Sequence, residues 1–288
     1  MSGSRQPAVA GRFYPGDRDE CLRSLDELVR PTDVSKAPVG AVAPHAGWVF
    51  SGRTAALSVA AVALSRPETV VIFGAVHRID PNHASLYARG SWETPLGLLR
   101  VDEDLGARIA RCRDITVDPG AHRDEHSIEV QLPLIQRILG DVRILPIGVR
   151  PGPLACEIGR ICASEAGELG RAVAFLGSTD LTHYGPAFGF EPQGRGEAGI
   201  RWAKDVNDRR FIDLVTALDA EAVVPEAAEN RNACGAGAVA ATIAAVQEFG
   251  ANTYVELEHT TSAELEMREG GHPVNSVGYE AGIFTVSD

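Results

Sequence analysis

The chain has 288 residues, 44% of them hydrophobic and 23% charged, an ordinary balance for a globular domain with an ample core. Its formal charge of −12 argues against a nucleic-acid surface or a face for anionic membranes, since both need basic patches. Five cysteines (Cys21, Cys112, Cys156, Cys162 and Cys234) form an odd set without a CxxC pair, so no disulfide framework is expected and a reducing cytoplasm is the expected location.

The N-terminus carries no basic segment followed by an apolar stretch, so no secretory leader is expected. In chain order, a helix over about 18–30 precedes a strand at 39–44 and a helix over 52–65. Strands at 69–74 and 84–89 follow, then helices over 103–112 and 126–139, with Pro133 predicting a kink or a later start for the second. The pattern continues as strand 142–148, helix 154–169, strand 172–177, helices 197–217 and 234–249, and strands 253–260 and 278–286. The segment from Phe188 to Gly196 reads as a long loop, and Trp92–Gly97 as a tight turn presenting an aromatic ring. This alternation predicts an α/β fold: a three-layer α/β/α arrangement around a mostly parallel or mixed sheet, in a single domain over 1–288. The longest runs free of Asp, Glu, Lys and Arg are Ala37–Gly52 and Asn232–Gln247, both shorter than the roughly 20 residues of a membrane span. No membrane association is therefore expected, and the second run reads as a buried core helix.

Chemically costly residues stand at the joints of these elements. His45 and His77 end the apolar runs beginning at Val39 and Thr69, and Cys234 opens the Ala-rich helix pattern. Ligands gather in α/β folds where strands end and helices begin, so two imidazoles and a thiolate there read as a metal site with an open position. Each also has an ordinary reading: a hydrogen-bonded histidine, or a small buried thiol. A second cluster, Gly177–Gly185, places Asp180 and His183 after another strand, where the Asp could fix the imidazole tautomer for proton transfer; an Asp-capped turn explains it equally. The third cluster runs from His122 to Glu129. His122, His126 and Glu129 could line one helix face as a rival metal site, but simple N-terminal capping by Asp124 and Glu125, with His126 as a pocket wall, suffices.

The motifs RQPAVAGRFYP from Arg5, APHAGWVFSG from Ala43, TPLG from Thr94, DEHSIE from Asp124, STDLTHYG from Ser178 and NACG from Asn232 resemble those of the Memo family, in family order, from Arg5 to about Phe284. The microbial members are called AmmeMemoRadiSam system protein B. The resemblance implies a fold like that of the LigB-like class III extradiol dioxygenases, which use non-haem iron. It also implies His45, His77 and Cys234 as metal ligands, with Asp180 and His183 in the pocket where those enzymes keep their acid/base histidine. Cys234 departs from the dioxygenase pattern of two histidines and a carboxylate. A thiolate is softer and oxidation-prone, and the helix N-terminus is expected to stabilise it.

The resulting expectation is a metal-dependent, dioxygenase-like enzyme acting on a small molecule. Iron is the first choice of metal, with copper or zinc as alternatives; His183 is the acid/base and Asp180 its orienter. The family name implies a shared pathway or assembly with a radical-SAM protein and an AMMECR-type protein. Two other readings stand beside it. One is a zinc or Cys-dependent hydrolase. The other is a peptide-binding signalling module without turnover, as the vertebrate relatives imply.

Overall fold

The computed structural model describes residues 3–78 and 81–287. The elements are β1 (Ser4–Arg5), α1 (Arg18–Leu28), β2 (Gly40–Ala43), α2 (Trp48–Val62), β3 (Thr69–Gly74), β4 (Ala84–Leu86), β5 (Ser91–Thr94), β6 (Gly97–Arg100) and α3 (Glu103–Ile109). They continue as β7 (Ile115–Val117), α4 (Leu132–Leu139), β8 (Arg143–Val149), α5 (Ala155–Glu168), β9 (Val173–Ser178) and β10 (His183–Tyr184). The C-terminal part comprises α6 (Glu197–Trp202), a π-helical turn (Ala203–Asp208), α7 (Arg209–Thr216), α8 (Ala220–Asn230), α9 (Ala236–Glu248), β11 (Thr253–Thr261), α10 (Ser262–Arg268) and β12 (Ser276–Thr285).

Among the described residues, nine strands form one mixed sheet in the order β10-β12-β2-β9-β3-β8-β4-β7, with β11 paired to the outer side of β12. Its centre is parallel: β2 pairs with β9, β9 with β3, and β3 with β8. Every residue of β2 and β3 is buried, as expected of strands covered on both faces. Helix α2, joined by α1, α4 and α10, packs on one face, and α9, joined by α5, α8 and α3, packs on the other. The α/β class read from the sequence is the one observed. By length and composition the stretch Trp48–Ser65 could cross a membrane, but 56% of it is buried within the fold and α2 lies against β2 and β12, so it is a core helix here.

Helix α9 explains its own composition. Ala236 to Val246 are all buried, and small side chains let neighbouring backbones come close. At Gly159 of α5, a Cβ would stand 2.0 Å from the carbonyl oxygen of Ala241. No L-residue other than glycine fits there without parting the two helices.

Four differences from the sequence reading have clear causes. Trp92 is buried in β5, with the Arg5 guanidinium 4.1 Å from its ring centroid, and the expected turn is the link to antiparallel β6. Residues 119–128 are turns rather than helix, and α4 begins only at Leu132, with Pro133 in its first turn where no amide hydrogen is needed. Helix α8 escaped the pattern because it carries Pro225 in its interior. Strands β1, β5, β6, β7 and β10 are each two to four residues long, too short to show alternation.

A buried ion pair ties the N-terminal segment to this framework. Arg5 Nη1 donates to Glu129 Oε2 at 2.6 Å, while Glu129 also accepts from the Ala8 and Val9 amides and from the Tyr14 hydroxyl, all within 2.9 Å. Arg5 further donates to the carbonyls of His122 and Glu125 at 2.8 and 2.7 Å.

Two stability outcomes follow. Gly159→Ala should cost about 1–3 kcal/mol through overpacking, read as a lower thermal midpoint, while metal binding by the surviving folded protein is unchanged. Glu129→Ala should cost about 3–5 kcal/mol because the Arg5 charge is left buried and unpaired; a denaturant midpoint equal to that of the parent would refute the hub assigned to Glu129.

Candidate metal centre

Because β2, β9 and β3 are adjacent and parallel, their carboxyl ends open on one edge of the sheet, the usual binding crevice of such folds. His45 lies just past β2, His77 just past β3, Asp180 and His183 just past β9, and Cys234 just before α9. Residues 135 apart thus meet: the His45 backbone N–H donates to Asp180 Oδ1 at 2.7 Å. Cys234 Sγ lies 3.2 Å from His45 Nε2 and accepts from the Asp180 amide at 3.3 Å.

The hydrogen bonds fix which nitrogen of each ring is free. Ser178 Oγ spends its only proton on the Ser127 carbonyl (2.7 Å), so toward His45 Nδ1, 2.9 Å away, it can only accept. His45 therefore carries its proton on Nδ1 and presents a lone pair on Nε2. Gln131 supports this arrangement by donating to the Pro44 carbonyl (2.7 Å) and to Ser178 Oγ (3.3 Å). His77 Nδ1 faces Glu125 Oε1 at 3.0 Å, and the same carboxylate takes the His77 amide on its other oxygen, so His77 also offers Nε2. Carboxylates and hydroxyls behind ligating imidazoles are the usual means of orienting metal ligands.

Two overlapping sets of side chains could hold a metal ion: His45, His77 and His126; and His45, Asp180 and Cys234. Within each set the donor atoms lie within 4.8 Å of one another. His45 is the shared member. The expected ligands His77 and Cys234 are each brought to His45, but in different sets, with His126 and Asp180 as additional donors beside them. The rings of His77 and His126 stack at 4.6 Å, and both stand edge-on to His45 at 5.2 and 5.4 Å. Nitrogen, sulfur and carboxylate donors gathered about His45, with the His45 and His77 lone pairs already directed by their neighbours, fit a transition metal.

Burial is the largest influence on the electrostatics, although His77 keeps part of its surface in solvent. Burial, aided by the charges of His77 and His126, lowers His45 well below its ordinary value. Burial likewise lowers His126. For His77 burial acts downward, but the hydrogen bond and charge of Glu125 and the charge of Asp180 turn the shift upward. Burial and the Asp180 carboxylate push the Cys234 thiol far up. The helix end does not by itself produce the expected thiolate: α9 begins two residues later, and desolvation outweighs its pull.

Beside these groups lies a cavity of about 430 Å³, walled by Phe13, Phe50 and Phe188 and reached by His126, Asp180 and His183. His183 Nδ1 donates to the Leu181 carbonyl at 3.0 Å. The orienting role expected of Asp180 thus falls to the main chain, while Asp180 serves the His45 amide. His122 does not join His126. Without a helix over 119–128 its ring turns to Tyr87 and Trp92, its Nε2 donates to the Ser85 carbonyl at 2.9 Å, and burial lowers it to about 4.

Sequence reasoning also passed over a π-helical clamp. Asn207 Nδ2 donates to Thr182 Oγ1 and to the Asn230 carbonyl, both at 3.0 Å, and Asn232 Nδ2 donates to the Asn207 carbonyl at 2.9 Å. Asp208 Oδ1 accepts the Thr182 amide at 2.9 Å, and its Oδ2 faces His259 Nε2 at 3.0 Å. The turn thereby fixes both the strand that carries His183 and the loop that leads to Cys234. Gly278 is required beside it, since a Cβ there would stand 2.2 Å from Asp208 Oδ2. The only signal in the sequence was the adjacent Asn–Asp pair inside a helix pattern, where neither residue is favoured.

Comparison with known proteins agrees with the motifs. Residues 5–283 match the family model described as "Memo-like protein". A MEMO1 family protein of Methanopyrus kandleri is 37% identical, with 97% of this chain and 98% of that protein covered. One from Thermococcus onnurineus is 36% identical, with 97% and 99% covered. The crystal structure of an uncharacterized protein from Escherichia coli K12 superposes with a TM-score of 0.51 at 13% identity, over 83% of this chain and 99% of that one, a likeness of fold alone. Matched over nearly its whole length by model and relatives alike, the chain belongs to the Memo family.

Proposed function

We propose that this protein is a metal-dependent enzyme that carries out oxidative, dioxygenase-like chemistry on a small, largely apolar molecule, in the cytoplasm. The observation that carries the reading is the Nε2 lone pair of His45, 3.2 Å from Cys234 Sγ and flanked by His77 and His126. His45, His77 and Cys234 would hold the metal, His45 being the member common to the two donor sets, with His126 or Asp180 completing the set. The thiolate, once formed, favours iron, copper or zinc over magnesium or calcium, and iron suits the oxidative reading. Such a metal would supply Lewis-acid and redox chemistry beside the cavity.

The protein's own side chains supply the rest. His183 commits Nδ1 to Leu181 and so keeps Nε2 free to accept or return a substrate proton. Phe13, Phe50 and Phe188 present apolar surface that excludes water from the reacting end of a bound molecule. Cys234 is poorly suited to the hydrolytic alternative, because burial holds it as a thiol until a metal displaces the proton.

The division of labour gives distinct outcomes. Cys234→Ala should abolish stoichiometric metal binding, His183→Ala should leave metal content nearly unchanged, and Glu125→Gln should weaken metal affinity about 10–100-fold through loss of His77 orientation. Metal analysis of the three anaerobically purified proteins checks this; loss of metal in His183→Ala as complete as in Cys234→Ala would make His183 a ligand.

Metal affinity should also rise with pH. His45 is already neutral, whereas the thiol proton of Cys234 must leave, giving about tenfold tighter binding per pH unit. Below the raised value of His77 a second proton is displaced and the slope steepens to about a hundredfold per unit. Chelator competition across the near-neutral range measures the slope; a flat profile would remove Cys234 from the ligand set.

A further inference from the structure

The cavity beside the metal centre has a charge character that goes beyond its shape. Its titratable lining residues are Asp180 and Glu266 with the imidazoles of His126 and His183, burial lowering the pKa of His126, and no lysine or arginine lines it. Glu266 projects from α10, and among the described residues no cation pairs with it, whereas its neighbour Glu264 is paired with Lys204 at 2.5 Å. Two arginines on adjoining segments are engaged elsewhere. Arg12 donates to the Ala8 carbonyl at 2.7 Å, and Arg231 lies 4.7 Å from the centroid of the Phe190 ring. Three phenylalanine rings add apolar surface and π-faces, which attract cations.

We infer that this cavity selects small aromatic amines, with the ring between the phenylalanines and the ammonium group toward Glu266, and refuses carboxylate- or phosphate-bearing molecules of the same shape. The inference rests on the reading of this cavity as the substrate site. Its physical basis is the Glu266 carboxylate at the cavity rim, with no lysine or arginine in the lining to offset it, which favours a cation and repels an anion at the same position. A phosphorylated peptide side chain has no partner here, because phosphate recognition depends on arginine or lysine forks.

Ligand-observed NMR titration of the full chain, freed of metal with chelator, provides the test. The probes are tyramine, p-cresol, 4-hydroxyphenylacetate and phenyl phosphate, which share a ring and differ in charge. Tyramine should bind about threefold to tenfold more tightly than p-cresol, as for a partly exposed ion pair with a cation–π contribution. The two anions should bind more weakly than p-cresol. Glu266→Gln, at an exposed helix position, should erase the advantage of tyramine and leave p-cresol unchanged, while Phe188→Ala should weaken both. Equal binding of 4-hydroxyphenylacetate and tyramine, no binding by any probe, or a tyramine preference that survives Glu266→Gln would each overturn the inference. Since these titrations contain no metal, failure of the metal reading shows instead in metal content and leaves the order of the probes untouched.

Discussion

The site side of the molecule hangs on one buried carboxylate. Glu129 takes four hydrogen bonds, from Arg5, Tyr14 and two amides of the N-terminal segment, and has no exposed side-chain surface. Through Arg5 it also gathers the carbonyls of His122 and Glu125. Residues 119–128 form no helix, so their turns are held by side chains reaching across more than a hundred positions of sequence. Glu125, His126 and Ser127 all sit on these turns. Without the Arg5–Glu129 pair, the group that orients His77 and the carbonyl that fixes the Ser178 hydroxyl would lose an anchor, leaving bonds such as that from Ser127 Oγ to the Ala75 carbonyl to hold them.

From that anchor the donors acquire their directions in two steps. The parallel sheet brings the ends of β2, β3 and β9 to one edge, which places the imidazoles within reach of one another. Ser178, Gln131 and Glu125 then decide which ring nitrogen is available. The first step is topology and the second is hydrogen-bond valence. Only together do they turn scattered histidines into a candidate place for a cation.

Much of the fold was legible in the sequence because its central strands are continuously apolar and its joints carry Gly and Pro. The reading of 69–74 coincides with β3, and that of 234–249 encloses α9. His45, His77, Asp180, His183 and Cys234 were visible as reactive residues at element ends, although their meeting owes nothing to spacing and was anticipated chiefly through the family motifs. Glu125 was read as a capping residue because the sequence cannot show that its turn folds back onto His77. His126 looked like a pocket wall for a similar reason: its partners, Phe13 and His77, come from two distant segments. The tautomer of His183 was assigned to Asp180 by proximity along the chain, but a backbone carbonyl two residues away satisfies the same proton more directly.

The π-helical turn between α6 and α7 has a bearing on how such a site can be gained or lost. A π turn is in effect one residue inserted into an α-helix, and each residue of an α-helix advances the side chain by about 100°. Removing one residue between Ala203 and Asp208 would let α6 and α7 fuse into a regular helix while rotating Asn207 and Asp208 away from Thr182. Because the two flanking helices could keep much of their own packing, the lesion would fall chiefly on the strand of His183 and the loop before Cys234. The scaffold and the candidate metal centre are to that extent separately heritable. A single in-frame codon deletion there would disturb the candidate metal centre while leaving the helices on either side a fold to pack against.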